Sequence, residues 1–144
     1  DKKALIGPAE RAAKLAEEVK KTCPSFGLMY DLSHVPLLHE DALEALKTIK
    51  PHLVHAHVGS AQFKTEGVES FGDQHPRFGL PGGENDIDEL VNFLRALFEI
   101  GYLKEKPEGD LPIVAFEVKP LSGEIPEVLI ANTKRVWKEA WARI

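Results

Sequence analysis

Apolar positions recur along the chain at helical and strand spacing in turn, and this alternation predicts most of its elements. Ala12, Leu15, Ala16 and Val19 lie at helical spacing behind Pro8, a residue suited to the first helical position, and Lys20 and Lys21 near the end suit the helix dipole. Thr22, Cys23, Pro24 and Ser25 break the pattern before an apolar run over residues 26–31 that reads as a buried strand. The unit then repeats. Ala42, Leu43, Leu46 and Ile49 predict a helix over residues 40–49, Pro51 ends it, and residues 53–58 form a second strand. A polar loop over residues 59–84 leads into a helix whose Ile87, Leu90, Val91, Leu94, Leu97 and Phe98 form one stripe, with Asn85 or Asp86 as N-cap and Gly101 as stop. Within that loop, residues 62–83 are the candidate mobile stretch. Residues 113–118 read as a third strand, and Pro126 opens a last helix carrying Leu129, Val136, Trp137, Ala140 and Ile144.

The predicted order is αβαβαβα, an α/β class in which buried strands separated by amphipathic helices form parallel βαβ units. Three parallel strands leave both sheet edges open and cannot close a barrel, whereas a complete (β/α)8 barrel takes about 250 residues. The expectation is a partial TIM-barrel domain over residues 1–144, the C-terminal half, completed by an absent N-terminal half or by another chain. A free-standing three-layer sandwich is the alternative. The opening on Asp1 in place of a methionine fits a piece of a longer protein.

Composition narrows the partners. The chain of 144 residues is 43% hydrophobic and 28% charged, and 18 Lys and Arg against 23 Asp and Glu leave a net charge of −5. Phosphate-backbone binding rests on clustered cations, so nucleic acid is disfavoured as a partner. Apolar runs such as residues 113–116 fall far short of the roughly 20 residues of a membrane-spanning helix. Cys23 is the one cysteine, and Asp1, Lys2 and Lys3 show no signal-peptide core, so a reducing cytoplasm is expected.

The chemistry gathers at the strand ends. Asp31 closes the first strand, with Ser33 and His34 in the turn above it; His55 and His57 share a face of the second; Glu117 shares a face of the third with Ile113 and Ala115. Ligands of α/β folds bind at the carboxyl ends of strands. Asp31, His57 and Glu117 together make a mixed oxygen and nitrogen set suited to Mn, Mg, Co or Zn as a catalytic divalent metal, and the absence of thiolates argues against a structural zinc site. Simpler roles exist for each residue alone. Asp31 suits a cap, Glu117 a salt bridge with Lys119, and His39 and His52 are expected to be ordinary surface residues.

Asp31 to His34 at one strand end, His55 to His57 at the next and Phe116 to Pro120 at the last resemble the C-terminal half of the xylose-isomerase-like TIM barrels, a superfamily of sugar isomerases, ketose 3-epimerases, inosose dehydratase and an AP endonuclease. Leu80 to Ile87 is similar to that family's Pro-Gly-x-Gly-x-Ile-Asp passage. The resemblance implies a divalent metal held by Glu, Asp, His and Glu, of which Asp31, His57 and Glu117 match the last three and the first would precede Asp1. It implies His34 as a substrate contact, and proton transfer beside a carbonyl through a metal-stabilised enediolate, with Glu117 as one acid/base and the absent Glu as the other. The family's Arg six residues after the metal His is replaced by Phe63, followed by Lys64, a departure from the 3-epimerases. Asp73 and His75 resemble the Asp-x-His pair that supplies a further metal in the endonuclease; His75, with Arg77, is alternatively a substrate contact or a loop cap. Gly82 and Gly83 ahead of a helix are weak as an anion cradle.

The function expected from these resemblances is a metal-dependent isomerase or epimerase of a sugar or sugar-like hydroxy-carbonyl compound. The alternatives are a polyol or inosose-type dehydratase, a metal-dependent phosphodiesterase and a non-catalytic binding module. The expected partners are a small sugar or polyol and the missing half-barrel, supplied in the same protein, by another chain or in a homo-oligomer.

Overall fold

A computed structural model describes residues 6–104 and 111–144 of the chain. Among them run α1 (Ala9–Lys20), β1 (Leu28–Asp31), α2 (Val35–Leu38), α3 (Ala42–Ile49), β2 (Leu53–Val58), α4 (Ile87–Glu99), β3 (Val114–Phe116) and α5 (Pro126–Trp141), with single 3-10 turns at Leu32–His34 and Lys50–His52. The predicted alternation of helix and strand is present. Short α2, entered through Pro36, is an addition that its sequence did not suggest, and β1 and β3 are shorter than the apolar runs that contain them.

Local chemistry sets the helix starts. Pro8 stands just outside α1 with an extended ψ of 141°, not at its first helical position, and offers no side-chain cap. The Glu40 carboxylate supplies one from a distance, accepting the Ala9 N–H at 2.8 Å. Asp41 caps α3 by accepting the Glu44 N–H at 3.0 Å, so this helix begins two residues later than its apolar pattern suggests. At α4 the Glu89 carboxylate accepts the Asp86 N–H at 2.9 Å, and Gly101, at φ +83°, turns the chain away beyond its end.

The strands form one parallel sheet in the order β1-β2-β3. Met29, Tyr30 and Asp31 pair with His55, Ala56 and His57, and Ala56, His57 and Val58 pair with Val114, Ala115 and Phe116. A register shift between Leu28 and Met29 leaves Val54 without a paired residue, and a Cβ at Gly27 would stand 2.4 Å from its methyls. That approach requires glycine at position 27.

The register sorts the sheet into two unlike faces. Tyr30, Ala56 and Val58 are buried against the helices, which pack in the row α1, α3, α4, α5. Leu46, Leu94 and Leu97 are fully buried in that layer, and each such side chain contributes about 2 kcal/mol by leaving water. The opposite face presents Met29, Asp31, His55, His57 and Ala115, and there Met29 and Ile113 remain 46% and 55% exposed. Among the described residues, helices thus cover one face, while both edges of the sheet are open.

Of residues 62–83, expected as a mobile stretch, the parts flanking residues 64–69 are packed while residues 64–69 themselves are exposed. Gln62 bridges to Gly72, Phe63 meets Phe71 edge-on, and Gln62, Pro76 and Phe78 are buried. Among the described residues, no helix is long and apolar enough to cross a membrane.

Candidate metal centre

Parallel strands bring their carboxyl ends to one edge of the sheet, and the register aligns Asp31, His57 and Ala115 across it. Glu117 lies just beyond β3 and not within it, but its N–H donates to the Val58 carbonyl at 3.0 Å and so continues the ladder by one residue. Its carboxylate is hydrogen-bonded to His57 Nδ1. The salt bridge to Lys119 that its sequence offered does not form; Lys119 donates instead to Gln74 Oε1 at 3.1 Å.

Asp31 both caps and faces the site. Its Oδ1 accepts the Ser33 N–H at 2.8 Å and starts the 3-10 turn that carries His34. Its Oδ2 is buried, makes no hydrogen bond, and lies 3.9 Å from His34 Nε2. The cap expected of an aspartate at this place and the ligand oxygen are therefore two atoms of one carboxylate.

The packed part of the loop adds two residues. Asp73 Oδ1 stands 2.7 Å from His75 Nε2 and 3.0 Å from His34 Nε2, bridging the two imidazoles, and His75 Nε2 lies 3.4 Å from Glu117 Oε1. His75 adopts a left-handed backbone, φ +49°, and is fixed by the Lys119 N–H, which donates to its carbonyl at 2.8 Å. Gly59 makes room for this crossing. A Cβ there would stand 2.4 Å from the Glu117 carbonyl oxygen and 3.4 Å from His75 Nδ1.

Other sequence candidates lie apart from the cluster. His55 sits two register pairs deeper in the sheet, opposite Met29, with its ring against that of His57. Arg77 pairs with Glu124, Nε to Oε1 at 3.1 Å, and does not join His75 at the site. His39 is exposed at the end of α2, whereas His52, expected on the surface, is half-buried.

The two acids lean in opposite directions. Burial raises the Asp31 carboxyl above its ordinary range and the neighbouring Glu117 adds to the rise, against the lowering effect of the Ser33 hydrogen bond and His34. Burial also pushes Glu117 up, but the His57 hydrogen bond, the Asp31 contact and the charge of His75 together outweigh it, and the net shift is downward. Without a cation Asp31 keeps its proton more readily, and Glu117 holds the charge.

Among the described residues, two groups offer ligand atoms that all lie within 4.8 Å of one another: Asp31, His57 and Glu117, and Asp31, His34 and His75. The donors are carboxylate oxygens and imidazole nitrogens, while Cys23 is exposed and free. The buried Asp31 Oδ2 accepts no hydrogen bond and faces the Glu117 carboxylate, a pairing that is costly when both acids are charged and that a divalent ion would satisfy. These residues fit such an ion. A cleft of about 520 Å³, lined in part by Met29, Leu38, Asp31, His34 and Asp73, opens beside the cluster along the free edge of β1.

No protein-family model matches the chain, and no curated protein matches it either.

Proposed function

We propose that this chain supplies the C-terminal half of a xylose-isomerase-like barrel and most of the metal centre of a divalent-metal-dependent isomerase or epimerase, acting on a sugar or sugar-like hydroxy-carbonyl compound. The observation that carries the reading is the convergence of Asp31, His57 and Glu117 donor atoms within 4.8 Å at the carboxyl ends of three adjacent parallel strands. A divalent ion held there supplies a Lewis acid for carbonyl and hydroxyl oxygens, lowering the cost of removing the carbon-bound proton between them. Asp31 and His57 hold the ion. Glu117 shares that task, and its half-exposed carboxylate, held low by His57 and His75, is ionised at neutral pH and able to accept a proton from substrate. His34 and His75, oriented through Asp73, face substrate oxygens.

The half-barrel reading draws on the open β1 and β3 edges and on a sheet face that the helices leave uncovered. The remaining strands then come from a preceding segment, another chain or a second copy.

Phosphodiester hydrolysis is favoured by one observation: the second donor group, Asp31, His34 and His75, with Asp73 bridging the two imidazoles, suits a further ion. A net charge of −5 weighs against a nucleic-acid substrate.

The test is exchange of a carbon-bound deuterium beside the carbonyl of ketose and aldose substrates, followed in the full-length protein with Mn²⁺. Metal-dependent exchange is expected, reduced by at least about 100-fold in Glu117→Gln. Exchange that survives this substitution would remove Glu117 from the reaction, and its complete absence alongside cleavage of a phosphodiester would favour the second reading.

A further inference from the structure

We infer that Asn85 is a positioning residue which sets the distance between the Asp31 and His57 arms of the metal centre without touching the ion; the inference rests on the metal-centre reading above. By sequence Asn85 offers itself as a helix cap, but in the structure Asp86 occupies that place. Asn85 is 3% exposed, and its side chain points back into the sheet end. Its Nδ2 donates to the Leu32 carbonyl at 3.1 Å and to the Gly59 carbonyl at 3.2 Å. Leu32 directly follows Asp31 and opens the turn that carries His34, and Gly59 lies two residues beyond His57.

One amide nitrogen has two hydrogens, and both are used here on the two chain segments that must stay in register for the ligands to converge. The Asn85 N–H is also fixed, donating to Ser60 Oγ at 3.3 Å, and the preceding Glu84 N–H donates to the Ala61 carbonyl at 2.8 Å. The start of α4 is thereby tied to the end of β2, and the carboxamide spans from there to β1. An aspartate has no hydrogens to offer the two carbonyls, and a serine hydroxyl can serve only one of them. Groups that orient metal ligands from outside the coordination sphere commonly govern affinity by about 10–100-fold.

Co²⁺ titration of the chain, read by its visible absorption, tests the assignment beside thermal unfolding of the same proteins. Asn85→Ala is expected to lose Co²⁺ affinity by about 10–100-fold and to change the shape of the Co²⁺ spectrum. Val136→Ala, in the fully buried core of α5, is expected to lower the unfolding midpoint while leaving Co²⁺ affinity and spectrum as in the parent. If Asn85→Ala does not fold, Asn85→Ser carries the same criterion, with a smaller loss of affinity and the same direction of spectral change. Parental affinity and spectrum in the folded Asn85 variant would overturn the inference, as would an equal loss of affinity in Val136→Ala, which would reduce Asn85 to general stability. A parent chain that binds no Co²⁺ overturns the metal centre and this inference together, whereas a binding parent with an indifferent Asn85 variant overturns the inference alone.

Discussion

Asp31 accepts the Ser33 N–H through one oxygen while its other oxygen is buried and accepts no hydrogen bond, and burial raises its carboxyl above the ordinary value of 3.8. The folded chain therefore binds this proton more tightly than the unfolded chain does. The stability it contributes is full below about 3.8 and is lost as pH rises through the raised value. Glu117 has the opposite sign: its carboxyl is lowered from 4.5, so its contribution is present above that value and is lost as pH falls. In the ion-free chain, Asp31→Asn keeps an acceptor for Ser33 and replaces the buried charge with an amide able to donate toward Glu117. We expect this variant to unfold at a higher midpoint than the parent at pH 7, by an amount on the order of 1–2 kcal/mol. The advantage should shrink as pH falls to 4, and the variant should lose metal binding. An unfolding midpoint below that of the parent across this whole range would show that Asp31 is a stabilising cap and no more.

At the scale of elements, the site depends on how closely β2, β3 and the loop after β2 cross. Gly59 lies at that crossing, under the Glu117 carbonyl and beside His75 Nδ1. Gly59→Ala must displace the Glu117 carbonyl, and overpacking of this kind typically costs about 1–3 kcal/mol. Metal affinity should fall with it, because the displaced backbone carries a ligand. Equilibrium unfolding and metal titration of the same variant check both effects; unchanged metal affinity would show that Glu117 is not held through this contact. The strand-end residues were legible in the sequence because strand alternation and parallel βαβ order place Asp31, His57 and Glu117 at one edge without knowledge of packing. The role of Asn85 was not legible, since its amide reaches carbonyls 26 and 53 residues away and nothing in local spacing encodes that. Asp73 lies between these cases. Its proximity to His75 is local, but its bond to His34 spans 39 residues and depends on a loop that polarity alone suggested to be mobile. Pro76 and Phe78 are buried inside that loop.

At the scale of the molecule, one row of helices covers one face of a three-stranded sheet, and the metal ligands lie along the carboxyl edge, toward the face that stays half-open. The balance of −5 includes three acids at this centre, Asp31, Asp73 and Glu117, so part of the negative charge is gathered where a cation would be held. The fold and the charge thus point to the same edge. The most direct test is calorimetric titration of the chain with Mn²⁺ and Co²⁺, alongside Asp31→Ala, His57→Ala and Glu117→Ala. The structure predicts saturable binding at the Asp31, His57 and Glu117 group, with affinity reduced by more than about 100-fold in each of the three variants. A parent that binds neither ion, or three variants that bind as the parent does, would contradict the metal centre.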